Sequence, residues 1–456
     1  MVPVLGLTHY VYAITIISVI LLMLKKKDVV IVCLVGTMII ATLHTKSLTA
    51  GTQILFNAIL NAGVDLFDIM LVISIMVGML KSLNAAGAGE KMFSPLRKLI
   101  KNPTQAYFVL GLSAYVSASF FWPTPATALV GPLLIPVCVE AGLPAIAAAM
   151  AFNIFGHGMG LSGDLVIQGA IKISSTSAGV SIDSMYMPSA LLSVTCGLVA
   201  GIVGYVMIIR DMKRGRITAV PETQVKTEAK EHHRYAFFLA VLVPLAFFTD
   251  AGLMVYFSIR GGDATALIGG TATLVLAIST IMCDGKDCFD KSVGYLREGF
   301  MFGIKVFSPV IPIAAFFFLG GPQVKDILGD SAPLLLFDIG EKIYSYIPLG
   351  RVPVAFGDVL IGMIAGLDGS GFAGLPLTGS MAAAFGGAIN ANIAPLAAAG
   401  QMGSVWSGGG TLVPWCFGLA ATAGVAGVSP TELARKNFIP VCCGLLASTA
   451  LAILMM

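Results

Sequence analysis

Three titratable side chains, His157, Asp164 and Asp368, sit in glycine-rich interruptions of otherwise apolar sequence. An ionisable group at membrane depth is costly unless it takes a proton, binds a cation or finds a partner, so ion coupling is the chemistry these residues suit. The competing reading is structural, because an aspartate beside a turn caps the following helix well and a buried histidine can simply be hydrogen-bonded. Around them stand short hydroxyl and amide side chains. Ser119, Thr124 and Thr127 flank Trp122-Pro123-Thr124-Pro125, and Ser370 and Gly371 follow Asp368. Asn153, Ser404, Thr411 and Asn392 lie within or just before two later interruptions. Such a set can hold a small solute through hydroxyls, amides and backbone groups freed by proline and glycine. Free carbonyls at Gly156 and Gly160, with Asp164 and Asp368, make a candidate sodium site. Neither tip and neither interruption carries an arginine. An anion bound there would be balanced by helix amino termini and a co-bound cation.

The interruptions come in a repeating frame. Residues 153–197 and 400–444 align at an offset of 247, which sets Gly156 on Gly403, Gly163 on Gly410 and Cys196-Gly197-Leu198 on Cys443-Gly444-Leu445. His157 falls on Ser404 and Asp164 on Thr411. Irregular backbone is tolerated at membrane depth where it lines a cavity, so matched breaks in two halves point to one shared solute site.

With 57% hydrophobic and 11% charged residues and a mean hydropathy of +0.91, the chain is a polytopic membrane protein rather than a soluble enzyme. A net charge of +3 gives no reason to expect nucleic acid as a partner. The eight cysteines mostly fall in apolar segments without metal-type spacing. Apolar runs near 10–24, 28–43, 65–80, 187–209, 235–257, 264–283, 301–320 and 437–456 predict eight plain helices. Between them, 104–173 and 352–423 each read as a re-entrant hairpin followed by a discontinuous helix.

Most Lys and Arg then fall in inner loops, whereas the outer loops hold Lys46, Arg260, Lys325, Lys342 and Arg351. This bias favours hairpins over full spans and places both termini outside. The expected organisation is an inverted repeat. Its first half is 1–209, with hairpin 106–140 and broken helix 145–173; a cytoplasmic linker covers 210–234. The second half is 235–456, with hairpin 352–388 and broken helix 390–423. Lys172 is expected to snorkel to the outer surface, and Asp65 and Asp68 to have scaffold roles. His232 and His233 in the linker read as a solvated pair rather than a metal site.

This pattern resembles the ion transporter superfamily of dicarboxylate, citrate, gluconate and lactate carriers and some sodium/proton antiporters. The resemblance is carried by tips at Ser119–Thr127 and Asp368–Gly374 and by breaks at Gly156–Asp164 and Gly403–Thr411. It implies a transport domain of hairpins and broken helices moving against a scaffold in an elevator manner, often in a homodimer. The sodium-dicarboxylate branch carries Ser-Asn-Thr at its tips, from which the Asp-Gly-Ser-Gly here departs. The expected function is proton- or sodium-coupled symport of a small organic anion, a carboxylate, across a bacterial inner membrane. The alternative is a sodium/proton antiporter. Neither a catalytic role nor a cofactor beyond the coupling ion is expected.

Overall fold

The computed structural model of the chain describes residues 4–25, 27–217, 233–321, 323–346, 350–369, 371–414 and 416–456, and every regular element within them is helical. α1 (Leu7–Leu24), α2 (Val30–Thr45) and α3 (Leu48–Ala85) are followed by the short α4 (Ala88–Phe93). α5 (Pro103–Phe121) and α6 (Pro123–Glu140) form the first hairpin. α7 (Ala145–Phe152) runs through a π-wound stretch, Asn153–Gly160, into a last turn α8 (Leu161–Gly163). α9 (Gly169–Ala178) and α10 (Ile182–Lys213) follow. The second half contains α11 (Ala236–Tyr256), α12 (Gly262–Asp284), α13 (Cys288–Phe317), α14 (Val324–Leu328) and α15 (Leu335–Tyr346). α16 (Arg351–Ala365) and α17 (Leu375–Ala388) are the second hairpin, and α18 (Ile393–Gly408), α19 (Phe417–Ala426) and α20 (Pro430–Met455) end the chain.

The eight plain helices appear as α1, α2, α3, α10, α11, α12, α13 and α20, several of them longer than the apolar runs. α3 has 38 residues because the Ser47 hydroxyl caps it, accepting from Ala50 N at 3.3 Å, and helix then continues through the polar positions before residue 65. At 1.5 Å per residue it is about 57 Å long, well beyond a hydrocarbon core of about 30 Å. Seven helical stretches among the described residues are long and apolar enough to cross a membrane, and α1 and α2 supply shorter apolar helices.

Packing pairs in one half recur in the other. α5 lies on the π-wound stretch as α16 lies on α18; α6 packs on α19 as α17 packs on α9. α3 meets α12 as α13 meets α2, and α4 meets α11 as α15 meets α1. α10 pairs with α20 and α3 with α13. Exchanging α1–α10 for α11–α20 therefore reproduces the pattern of neighbours, and the return arm of each hairpin rests on the other half. The halves interdigitate rather than lying side by side. Small residues permit this: a Cβ on Gly78 of α3 would come within 2.9 Å of the Tyr295 carbonyl of α13.

Two expectations are corrected. The first hairpin turns at a single residue, Trp122 at φ 68°, rather than across 119–127, because Pro123 takes the first helical position, where its missing N–H costs nothing. The breaks also lie later than the glycines imply. Helix persists through Gly163 and Gly408, and the interruptions are 164–168 and, among the described residues, 409–414 and 416. The glycines serve close packing instead: a Cβ on Gly156 would lie 3.3 Å from the Ala114 Cβ, and one on Gly160 2.9 Å from the Ala118 Cβ. Gly156 lies within the π-wound stretch, and the Gly160 carbonyl at its end accepts from Asp164 N at 3.1 Å.

Candidate functional site

The two hairpin tips meet. The rings of Trp122 and Phe372 are 5.0 Å apart at 44°, and both side chains are buried. Behind them the broken helices cross, where Gly158 lies under the Trp406 ring; a Cβ there would come within 2.6 Å of its Cε3. His157, one residue earlier, packs against Gly410 and Gly418, so the first π-wound stretch touches the second break.

Polar groups gather at this crossing. Asn153 Nδ2 lies 3.4 Å from His157 Nδ1 and donates to Thr422 Oγ1 at 3.3 Å. Gln401 Nε2 donates to the Ser162 carbonyl at 2.8 Å, tying α18 to α8. Asn437 Nδ2 donates to the Thr411 carbonyl at 3.0 Å, while the Thr411 hydroxyl donates to the Trp406 carbonyl. Asn153 Oδ1, His157 Nε2, Gln401 Oε1, Trp406 Nε1 and Asn437 Oδ1 remain buried without hydrogen-bond partners among the described residues. Unmet polar groups in such number are expensive in a static core, and they are what a polar solute or water would satisfy.

The anticipated site residues fall into several sets. Asn153 and His157 are together, as are Ser404 and Gly371: the Ser404 hydroxyl donates to the Gly371 carbonyl at 3.0 Å, and Gly371 holds φ 72°. A Cβ on Gly371 would lie 2.5 Å from Gly409 N, so the second tip sits against the second break by virtue of that glycine. Ser119 and Thr127 flank the first tip, each donating to its own helix, to the Tyr115 and Pro123 carbonyls at 2.8 Å. Thr124 is in the first turn of α6 and half-buried. Asp164 takes the left-handed conformation at φ 41°, and its Oδ2 accepts from Ala170 N at 2.8 Å, so it caps α9. Asn392 does not join the site. It is exposed and caps α18, accepting from Ala394 N at 3.2 Å, with the length of that helix, about 24 Å, between it and the break. Asp368 ends a 3-10 turn, Gly366–Asp368; its side chain and Ser370 lie outside the described residues.

Each hairpin tip also presents the amino terminus of its return arm. α6 and α17 both start without a side-chain cap, whereas α9 and α19 are capped by Asp164 and Cys416, whose Sγ accepts from Leu419 N at 3.3 Å. Prolines at 123, 125 and 376 remove donors, and Ala126 N, Leu375 N and Thr378 N donate to local carbonyls. Thr124 and Leu377 keep first-turn N–H groups with no acceptor within their own helices.

Outside this centre, Lys172 does not snorkel. Its Nζ donates to both Asp68 oxygens, at 2.7 and 2.8 Å, and so joins α9 to α3. His233 N donates to the Ala86 carbonyl at 3.2 Å, and His232 lies outside the described residues. Sequence reasoning did not single out Trp406, Gln401 and Asn437 as site residues, nor did it find Asp358. The last had a usable signal, a lone acid inside the apolar run 352–365.

No family model matches the chain. In fold it is similar to MtrF of Neisseria gonorrhoeae, whose structure is described as illuminating a class of antimetabolite efflux pumps, with a TM-score of 0.61 and 14% identity over 89% of this chain and 84% of that one. It is also similar to the YdaH transporter of Alcanivorax borkumensis, described as having an unusual topology, with a TM-score of 0.58 and 15% identity over 89% and 88%. In sequence it is 39% identical over 456 residues, 98% of each chain, to the uncharacterised membrane protein YhfA of Bacillus subtilis. A membrane protein with a transporter fold, the chain belongs to the family of YhfA.

Proposed function

We propose that the chain is a secondary transporter of a small organic anion, a carboxylate, coupled to protons or sodium, of the ion transporter superfamily kind. The observation that carries the reading is the meeting of two uncapped hairpin tips at Trp122 and Phe372, directly over the crossing of two interrupted helices. Convergent helix amino termini attract an anion without a cationic side chain. The unmet Asn153, His157 and Trp406 groups offer donors and acceptors for its remaining oxygens.

The reciprocal packing of the halves supports an inverted repeat, and with it alternating access in which hairpins and broken helices travel together past α1–α3 and α11–α13. Thr124, Thr127, Ser119, Asn153, Ser404, Gly371 and Thr411 would line the solute site, with Ser370, outside the described residues, retained from the sequence as a further candidate. His157, Asp164 and Asp368 are the coupling candidates. The charge bias of the loops supports an orientation with both termini outside, and a bacterial inner membrane and a homodimer are the expected location and assembly. The fold shared with MtrF favours a second reading in which the same site works outward, exporting its solute against inward ion flow.

The test is reconstitution into proteoliposomes after a thermal-shift survey of mono- and dicarboxylates with and without sodium. The reading expects at least one carboxylate to stabilise the protein and to show saturable counterflow. Flux that never saturates, or a survey in which no carboxylate binds or moves under either gradient, overturns it.

A further inference from the structure

Asp358 lies midway along α16, the outgoing arm of the second hairpin, and is 4% exposed. Neither of its carboxyl oxygens has a hydrogen-bond partner among the described residues. α17 and α18 enclose it. A Cβ on Gly400 of α18 would collide with Asp358 Oδ2 and lie 2.7 Å from the Thr378 Cβ of α17. The Thr378 hydroxyl is committed to its own helix, donating to the Gly374 carbonyl at 3.2 Å. A pocket of ≈ 170 Å³ between α16 and α17 is lined by Asp358 together with Pro353, Val354, Gly357, Ile361, Met381 and Phe385.

An ionised carboxylate in that position bears its full desolvation cost with nothing to offset it. α17 and α18 carry no ionisable residue. Among the other elements against α16, α1 brings His9, Tyr10 and Tyr12, and the 3-10 turn brings Asp368. α20 brings Glu432, Arg435, Lys436, Cys442 and Cys443, and α16 itself begins with Arg351. His9 is engaged with Asp338 at 2.9 Å and Lys436 with Asp211 at 2.6 Å. A hard metal cation would want about six oxygen ligands, and the pocket supplies a single carboxyl among apolar walls. A proton needs no more than that carboxyl.

We propose that Asp358 is a proton-binding site of the second hairpin, holding one proton in the conformation seen and exchanging it with water through the pocket when α16 and α17 part. Its place in coupling rests on the transporter reading; its protonation does not. One proton enters and one leaves per opening, with no other bond made or broken.

The experiment is labelling of the wild-type protein in lipid nanodiscs with dicyclohexylcarbodiimide, which adds to protonated carboxyls in apolar surroundings, followed by peptide mapping. Asp358→Asn serves to confirm the mapped position. At about pH 8, where ordinary carboxyls are ionised, the Asp358 adduct should persist at the level found near pH 6, while adducts on exposed acids such as Glu298 fall at least about tenfold. An Asp358 adduct that falls in parallel with Glu298, or none at either pH, overturns the proposal. Loss of labelling with carboxylate counterflow intact rejects the proton site and leaves transport standing. Persistent labelling with no solute moved rejects transport and leaves the proton site standing.

Discussion

Replacing Gly158 by alanine tests whether the crossing of the broken helices is as close as the site requires. The added Cβ would sit about 1 Å inside a normal carbon contact of 3.5–4.0 Å with the Trp406 ring, which is fully buried and has no room to retreat. Overpacking of this kind costs about 1–3 kcal/mol. With an unfolding entropy of about 2.1 cal/mol/K per residue, 456 residues give about 1 kcal/mol/K, so Tm should fall by about 1–3 °C. Trp406→Leu alone should cost at least about 2 kcal/mol by opening a cavity. In the double variant the alanine methyl occupies part of that cavity, so the combined loss should be smaller than the sum by about 1 kcal/mol or more. Thermal aggregation followed by size-exclusion chromatography in detergent reads all four proteins without relying on tryptophan fluorescence. A neutral Gly158→Ala, or a double variant whose losses simply add, would refute the contact.

Asp164→Ala should destabilise by about 1–3 kcal/mol, since it removes the acceptor for Ala170 N and puts alanine at a left-handed position; Asp164→Asn, which tolerates that backbone and keeps an acceptor, should lose less than half as much in the same thermal assay. The Lys172–Asp68 pair has side chains 21% and 38% exposed, so a cycle of Lys172→Met and Asp68→Asn should give a coupling below about 1 kcal/mol that shrinks in high salt. A larger, salt-independent coupling would mean that this link is the main tie between α9 and α3.

Much of this architecture was legible because apolar length and proline position are local properties. Pro103, Pro123, Pro376 and Pro430 open helices, and the helix pairs α5–α6 and α16–α17 occupy 103–140 and 351–388. The breaks were placed too early because glycine has two uses that sequence alone does not separate. Gly156, Gly160 and Gly403 accept a neighbouring helix, while Gly371 and Gly410 hold positive φ. The choice depends on what packs opposite, which is tertiary information. For the same reason the matched interruptions pointed to one site shared by the halves, but not to Trp122 and Phe372 as the rings that touch there. Asp358 was missed for the opposite reason: attention to polar interruptions passed over an acid buried in an uninterrupted helix.

The interdigitation of the halves constrains any transport cycle. α6 rests on α19 and α17 on α9, so neither hairpin can shift with its own half alone without losing the surface it packs against. The hairpins and the helices after the breaks must therefore move as one body or not at all. Specific polar ties between that body and α1–α3 and α11–α13 include Lys172 to Asp68 and the Gly261 N–H donated to Gln168 Oε1 at 2.9 Å. Both of these meet the first half at or just after its break, at residues 168 and 172. In the proposed mechanism this end acts as the pivot. Within that body the aromatic contact between the tips is the joint that side-chain rearrangement can loosen, because a ring pair worth about 0.5–1.5 kcal/mol beyond its buried area can be exchanged for a bound solute at little net cost.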